Sequence, residues 1–370
     1  MEQDYMLAEA VRICADWFDK DKAAKQFYMD EMEEMDKLYR GDHWDLIGPG
    51  GRVLRNEEQK QAHPNAVENL TFALIEGLVS EFSQDVDIVY FPTEPGDEES
   101  ADVLSDLARW IAHKNRIEVE RQHFLRHLFK YGTGIWHVYW DPTWRGGRGP
   151  NRWIGDIRWV ALHPQFFFPD ARCRLDVREG VRCHKAVYRT LEYIRTKYPE
   201  YGHLVQEETV DVADLIGADE DATGETHEGQ ALLVETWYIG RPLILGPDEM
   251  DMGEGLHVIW WAGEGQQVYL RHANYVYFDP GEEPEFPFIV RQCYPRENSI
   301  WGYGEAHFIK SPQIVLNKTI ELILEGHMHH AVGQTFYEET ALTERQKKYI
   351  EKYGTLVGMW FPVKLLDKIR

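Results

Sequence analysis

The chain has 370 residues, of which 43% are hydrophobic, enough for two or three domains with a real core. Its formal net charge of −23 argues against a protein that grips nucleic acid by neutralising phosphates, which needs a surplus of Lys and Arg. Four cysteines (Cys14, Cys173, Cys183, Cys293) form no C-x-x-C pair and fit neither a zinc site nor a secreted disulfide framework, so reduced thiols in a cytoplasmic setting are expected. The opening MEQDYMLAEAVR lacks the basic start and apolar core of a signal peptide, and no apolar run approaches the length of a membrane span.

Residues 2 to about 40 read as a helix, with Leu7, Val11, Cys14, Trp17 and Phe18 at helical spacing. Tyr39–Trp44 breaks it, and a Gly-Pro-Gly-Gly loop follows at 48–51. A second helix is predicted over Asn65–Gln84, then an extended stretch to Pro92. After an acidic turn, Ser100 is the expected cap of one long helix to Tyr131, stopped by Gly132 and Gly134. Strands are predicted at 135–140, 156–162, 166–168 and 181–189, then a short helix over 191–198 closed by Pro199. Glu207–Glu228 is acidic, without Lys or Arg, and reads as a flexible surface insertion. Strands resume at 232–239, 256–261, 267–270 and 275–278. A long helix is predicted from Tyr303 to Met328, with Leu316, Ile320, Ile323 and Leu324 on its apolar face; a last helix (343–353) and a strand (355–361) close the chain.

The 13 Trp and 19 Tyr fall largely at strand-like positions and read as sheet packing or subunit contacts. His123 and His127, four apart near Glu118 and Glu120, suit a metal only loosely: no H-E-x-x-H accompanies them, and a structural role is the better reading. His327, His329 and His330 suit a DNA-proximal loop, a metal site or, preferably, a helix end where cations complement the dipole. Asp141, Asp156, Asp170 and Glu235 near strand ends allow an acidic glycoside hydrolase as a rival, but no motif singles out a pair. The glycine runs lack a following Gly-Lys-Ser/Thr, and no G-x-S-x-G elbow exists. No catalytic residue, metal or cofactor is assigned.

Five stretches, in order, carry a resemblance: HPNAVENLTFALIEGLVSEFSQDVDIVYFP, FKYGTGIWHVYWDP, IRWVALHPQFFFPDA, TLEYIRTKYPEYG, and the run from PEFPFIV through WGYGEAHFIKSPQIVLNKTIELI. Together they are similar to the portal proteins of tailed bacteriophages. There a Pro-Phe-Pro-Phe-type strand leads through a Gly-x-Gly turn into a stem helix carrying a Gln and an Asn at this spacing.

The resemblance implies an α+β subunit with wing, clip and long stem helix, forming a ring around a central channel. Residues 1–200 would be wing, 201–233 an acidic flexible insertion near the first stem element, 234–300 clip, 301–326 stem, 327–342 tunnel loop, and 343–370 a return to the wing. The chain stops at Arg370, so the crown is expected to be absent or truncated. Lys310, Gln313, Asn317, Lys318, Glu321 and Glu325 would line the channel; His327, His329, His330, Gly333, Gln334 and Thr335 would belong to the tunnel loop. The implied partners are further copies in a ring of about twelve, double-stranded DNA passing without sequence reading, the terminase large subunit, major capsid and scaffolding proteins, and a head–tail adaptor. No membrane is implied. The implied place is the virion, after assembly in the host bacterial cytoplasm. An acidic conduit fits this, because a basic lining would hold DNA by counterion release. A second rival is another ring-forming head–tail connector, for which the chain is long.

Overall fold

The computed structural model describes residues 2–332 except 49–51, 85–87, 95, 150–151, 211–226, 247–248 and 278–282, together with Thr343, Arg345 and Lys348. The fold is mixed α+β. Its helices are α1 (Glu2–Arg40), α2 (Glu57–Ala62), α3 (Leu70–Phe82), α4 (Glu98–Lys114), α5 (Ile117–Tyr131), α6 (Leu191–Lys197) and α7 (Glu305–Val332). Its strands are β1 (Thr133–Gly146), β2 (Trp153–Leu162), β3 (Phe167–Pro169), β4 (Arg182–Thr190), β5 (Glu208–Val210), β6 (His227–Gly240), β7 (Gly255–Ala262), β8 (Val268–Ala273), β9 (Phe288–Gln292), β10 (Tyr294–Arg296) and β11 (Ser299–Tyr303). Two compact units result: Met1–Tyr39 with Thr71–Ile309, and Arg40–Leu70 with Lys310–Arg370.

The first unit is built on an antiparallel sheet of order β3-β4-β6-β7-β8, with β5 also on β6. Side chains alternate across β6 as strand geometry requires. Leu232, Val234 and Tyr238 pack with Leu7, Ala10, Val11, Cys14, Ala15 and Phe18 of α1. Ala231 and Leu233 pack on the other side with Ile194 of α6, Tyr198 and Val205. Farther along α1 two ionic residues, Asp21 and Lys25, are buried before the stripe returns to Met32, Met35 and Leu38. Asp21 accepts from the Arg182 guanidinium at 2.8 and 3.1 Å and from the Ala171 amide at 3.1 Å. Lys25 Nζ donates to the carbonyls of Pro164 and Gln165 at 2.7 and 2.6 Å. Burial alone would raise the Asp21 carboxyl, but hydrogen bonds from His184 and Arg182 outweigh it and hold the group below its ordinary range.

A second sheet, of order β2-β1-β9, follows α5. Gly132 ends α5 at φ +86. A Cβ there would lie 2.4 Å from the Tyr303 backbone, and one on Gly302 would lie 2.4 Å from the Gly132 carbonyl. The two glycine motifs of the sequence, Tyr131–Gly134 and Trp301–Gly304, therefore interlock backbone to backbone, and side chains are excluded there.

Several sequence expectations change. The helix expected from Asn65 starts at Leu70, because Asn65 is left-handed (φ +50). The helix expected from Ser100 is two, α4 and α5, parted at Arg116, also left-handed (φ +51). Residues 275–277 form a turn with Tyr275 and Tyr277 at φ +53, not a strand, and Ser299–Tyr303 is a strand that displaces the start of the last long helix to Glu305. The flanks of the acidic insertion belong to the sheet as β5 and the start of β6, and its middle lies outside the described residues. The predicted 343–353 helix lies largely, and the 355–361 strand wholly, outside them too.

Candidate functional site

The second unit holds the long helix to which the sequence assigned the channel. Three of its polar residues, four apart, form a buried ladder: Gln313, Asn317 and Glu321 are 2%, 1% and 5% exposed. Their partners come from the stretch between His43 and Leu70, where the described residues outside α2 have little regular structure and their backbone groups need partners.

Gln313 Oε1 accepts from the Leu70 amide at 3.2 Å, and Nε2 donates to the Glu68 carbonyl and, at 3.0 Å, to Asn317 Oδ1. Asn317 Oδ1 also accepts from the Glu68 amide at 3.2 Å. Asn317 Nδ2 donates to His43 Nδ1 at 2.7 Å, which assigns the His43 proton to Nε2. One turn on, Glu321 Oε2 pairs with Arg55, whose guanidinium lies 3.8 Å from the centre of the Trp44 ring and donates to Asn65 Oδ1 at 2.8 Å. Glu325 Oε1 lies 2.7 Å from His63 Nδ1. On the flank Lys60 pairs with Asp45 at 2.6 Å and Glu57 at 2.8 Å; these hydrogen bonds, Asp45 first, raise its pKa.

The six expected channel residues are thus divided. Gln313, Asn317 and Glu321 are spent within the unit, and Glu325 is half-buried against His63. Lys310 is half-buried and Lys318 exposed. The expected apolar face is split: Leu316 and Ile320 are half-buried, while Ile323 and Leu324 are exposed, as are Val315, Leu322 and Met328. Helix α7 turns its polar seam inward. Sequence reasoning missed His43, Arg55, His63 and Glu68; the capping pattern Asn56-x-x-Gln59, which starts α2 with both reciprocal hydrogen bonds, was the one local signal of order there.

The residues expected in the tunnel loop fall into two groups. His327, His329 and His330 lie in the last turns of α7, which runs to Val332, and Gly333, Gln334 and Thr335 lie outside the described residues. His127 of the other histidine pair packs against His163, ring centres 4.5 Å apart, while His123 is exposed.

Of the acids that suggested a hydrolase, Asp141 and Asp156 are register partners across β1 and β2. Asp170 is held by Arg172 at 2.7 Å, Asp156 pairs with Lys114, and Glu235 meets Lys185 at 3.3 Å. Glu235 and Asp141 both line a cavity of about 930 Å³ in the first unit, walled by Trp140, Trp237, Trp260 and Tyr277. No helix of the described residues is long and apolar enough to cross a membrane.

A family model described as phage P22-like portal protein matches residues 15–360. No curated protein matches the chain.

Proposed function

The chain belongs to the phage P22-like portal protein family, and on that premise we propose that it is the ring-forming portal subunit of a tailed-phage head. About twelve copies close a ring at one capsid vertex, within the virion. Double-stranded DNA enters through its channel during packaging and leaves through it at ejection, without sequence reading. The terminase large subunit docks on the ring, the head–tail adaptor follows it, and major capsid and scaffolding proteins surround it. The subunit supplies no chemistry; nucleotide hydrolysis belongs to the motor.

The match over residues 15–360 carries this reading. The inverted α7 supports it: a helix whose polar side is consumed inside the subunit offers an apolar face, with Val315, Leu322 and Ile323, to the same helix of a neighbour. In this proposal residues 1–200 are wing, 234–300 clip and 301–326 stem, and the clip shares a sheet with wing strands β3 and β4. Lys310 and Lys318 take the channel-facing role on α7; the segment from His327 through Thr335 approaches the DNA beyond it.

Light scattering of the purified full-length chain, followed by electron-microscope class averages, tests the proposal. The expected particle is a ring of about a dozen subunits with a central hole. A compact monomer in every buffer overturns it. Charge reversal at Lys318 tests the channel assignment: packaging should fall, and packaging untouched by Lys318→Glu sinks that assignment.

A further inference from the structure

The geometry points to a Zn2+ site formed by His63, Glu321 and Glu325. Glu321 and Glu325 are four apart on α7, so the helix sets both carboxylates on one side. His63 follows the last turn of α2 and brings an imidazole to them. One ligand atom from each of the three lies within 4.8 Å of the others, and His63 Nδ1 is 2.7 Å from Glu325 Oε1.

A second observation concerns Glu321 alone. The residue is 5% exposed, and Arg55 holds its Oε2. Its other oxygen, Oε1, is buried with no hydrogen-bond partner. A buried carboxylate oxygen left unmet is costly and calls for a water or an ion. A cation shared with His63 and Glu325 meets that need.

The donor set selects the ion. One imidazole and two carboxylates, with a water in the fourth position, suit Zn2+; Ca2+ and Mg2+ favour all-oxygen sets. Metal bonds of about 2.1 Å place tetrahedral ligands about 3.4 Å apart. The 2.7 Å contact of His63 with Glu325 therefore opens slightly, and the other separations, none above 4.8 Å, close by at most about 1.4 Å. Arg55, stacked on Trp44, acts as the outer partner that orients Glu321. The bound ion fastens the segment at His63 to α7, two turns beyond the Gln313–Asn317 hydrogen bonds, and is a structural cross-link in the second unit.

The test uses the full-length protein, stripped with chelator and dialysed. ZnCl2 is titrated by calorimetry, and CoCl2 is added for the visible absorption of a tetrahedral ion. The expected result is one zinc per chain and a tetrahedral cobalt spectrum. His63→Ala and Glu325→Gln should each weaken binding by at least about tenfold, while their zinc-free unfolding temperatures stay near that of the parent. A variant with His327, His329 and His330 all changed to Asn should bind as the parent does. Stoichiometric zinc that survives both His63→Ala and Glu325→Gln overturns the site, as does the absence of stoichiometric uptake by the parent.

Discussion

Helices α1 and α7 each bury one stripe of residues three or four apart, and the stripes are opposite in character. On α1 the stripe begins Leu7, Ala10, Val11, Cys14, Ala15, Phe18. On α7 it is Gln313, Asn317, Glu321. Apolar burial is non-directional and scales with area, so the first anchors a helix on a sheet without dictating each contact. A buried polar ladder works only when each donor meets its acceptor, so the second fixes the register of the 43–70 segment against the helix. It also leaves Val315, Leu322 and Ile323 of α7 exposed.

The apolar stripe gives the largest expected effect. Phe18 is 3% exposed and meets Phe168 and Trp261 edge-on at centroid distances of 5.0 and 5.9 Å. Phe18→Ala should cost about 3–5 kcal/mol, from lost burial and the cavity left behind. Urea unfolding reads it directly, and a loss under about 1 kcal/mol would break the contrast, because α1 would then not be an anchor.

Next comes the ladder. Asn317→Leu keeps the branching of the side chain but strips partners from the Glu68 amide, His43 Nδ1 and Gln313 Nε2. The expected cost is about 2–3 kcal/mol, the penalty of buried polar groups left unpaired. A leucine accepted without loss would mean that the seam is ordinary filler, and proteolysis within residues 43–70 would then be unchanged as well.

Acid sharpens the contrast from the side of the first unit. Burial, then the nearby Lys130 and Lys25 charges, lowers His163 to about 3, and burial also holds His127 and His137 far below the ordinary range. His137 is enclosed between Tyr139 and Phe288, with neither ring nitrogen hydrogen-bonded. Above about pH 6.5 these groups are neutral folded or unfolded and contribute no pH dependence. Below it the unfolded chain takes up protons that the fold refuses, so stability falls as pH falls, for His163 down to about 3. The slope is up to about 1.4 kcal/mol per pH unit for each histidine that stays neutral. Urea midpoints from pH 7 to 4 check this; His163→Asn should flatten the curve, and a midpoint constant over that range contradicts the assignment.

Much of the first unit was legible because local signals and burial agree there. The stripe on α1, the strand at 232–239 within β6 and the short helix at α6 each read the same alone and in the fold. The glycine motifs were legible as turns; that they grip each other was not, since 170 residues separate Gly132 from Gly302. The break at Arg116 was hidden because a left-handed arginine carries no glycine or proline mark. The inward polar stripe of α7 was hidden for a different reason. Its sequence holds an apolar and a polar stripe, and hydrophobicity alone chooses the apolar one for burial. The choice is reversed by the backbone groups of Glu68 and Leu70, whose needs are written nowhere near the helix. His63 is equally remote from Glu321 and Glu325, so no spacing rule unites the three.

The smallest effect on the subunit carries the most weight for the ring. Leu322 is 68% exposed and Val315 63%. Replacing both with Ser removes only side chains that touch water in the isolated subunit, so its unfolding free energy should change by no more than about 0.5 kcal/mol per site. In a ring whose neighbours bury that face, the same change removes apolar contact at every interface at once, because one heterologous contact repeats around the axis. Sedimentation should therefore show subunits that fold as the parent does yet fail to close rings. Rings that form normally would move the interface to another face and leave the inward polar seam of α7 without its counterpart outside.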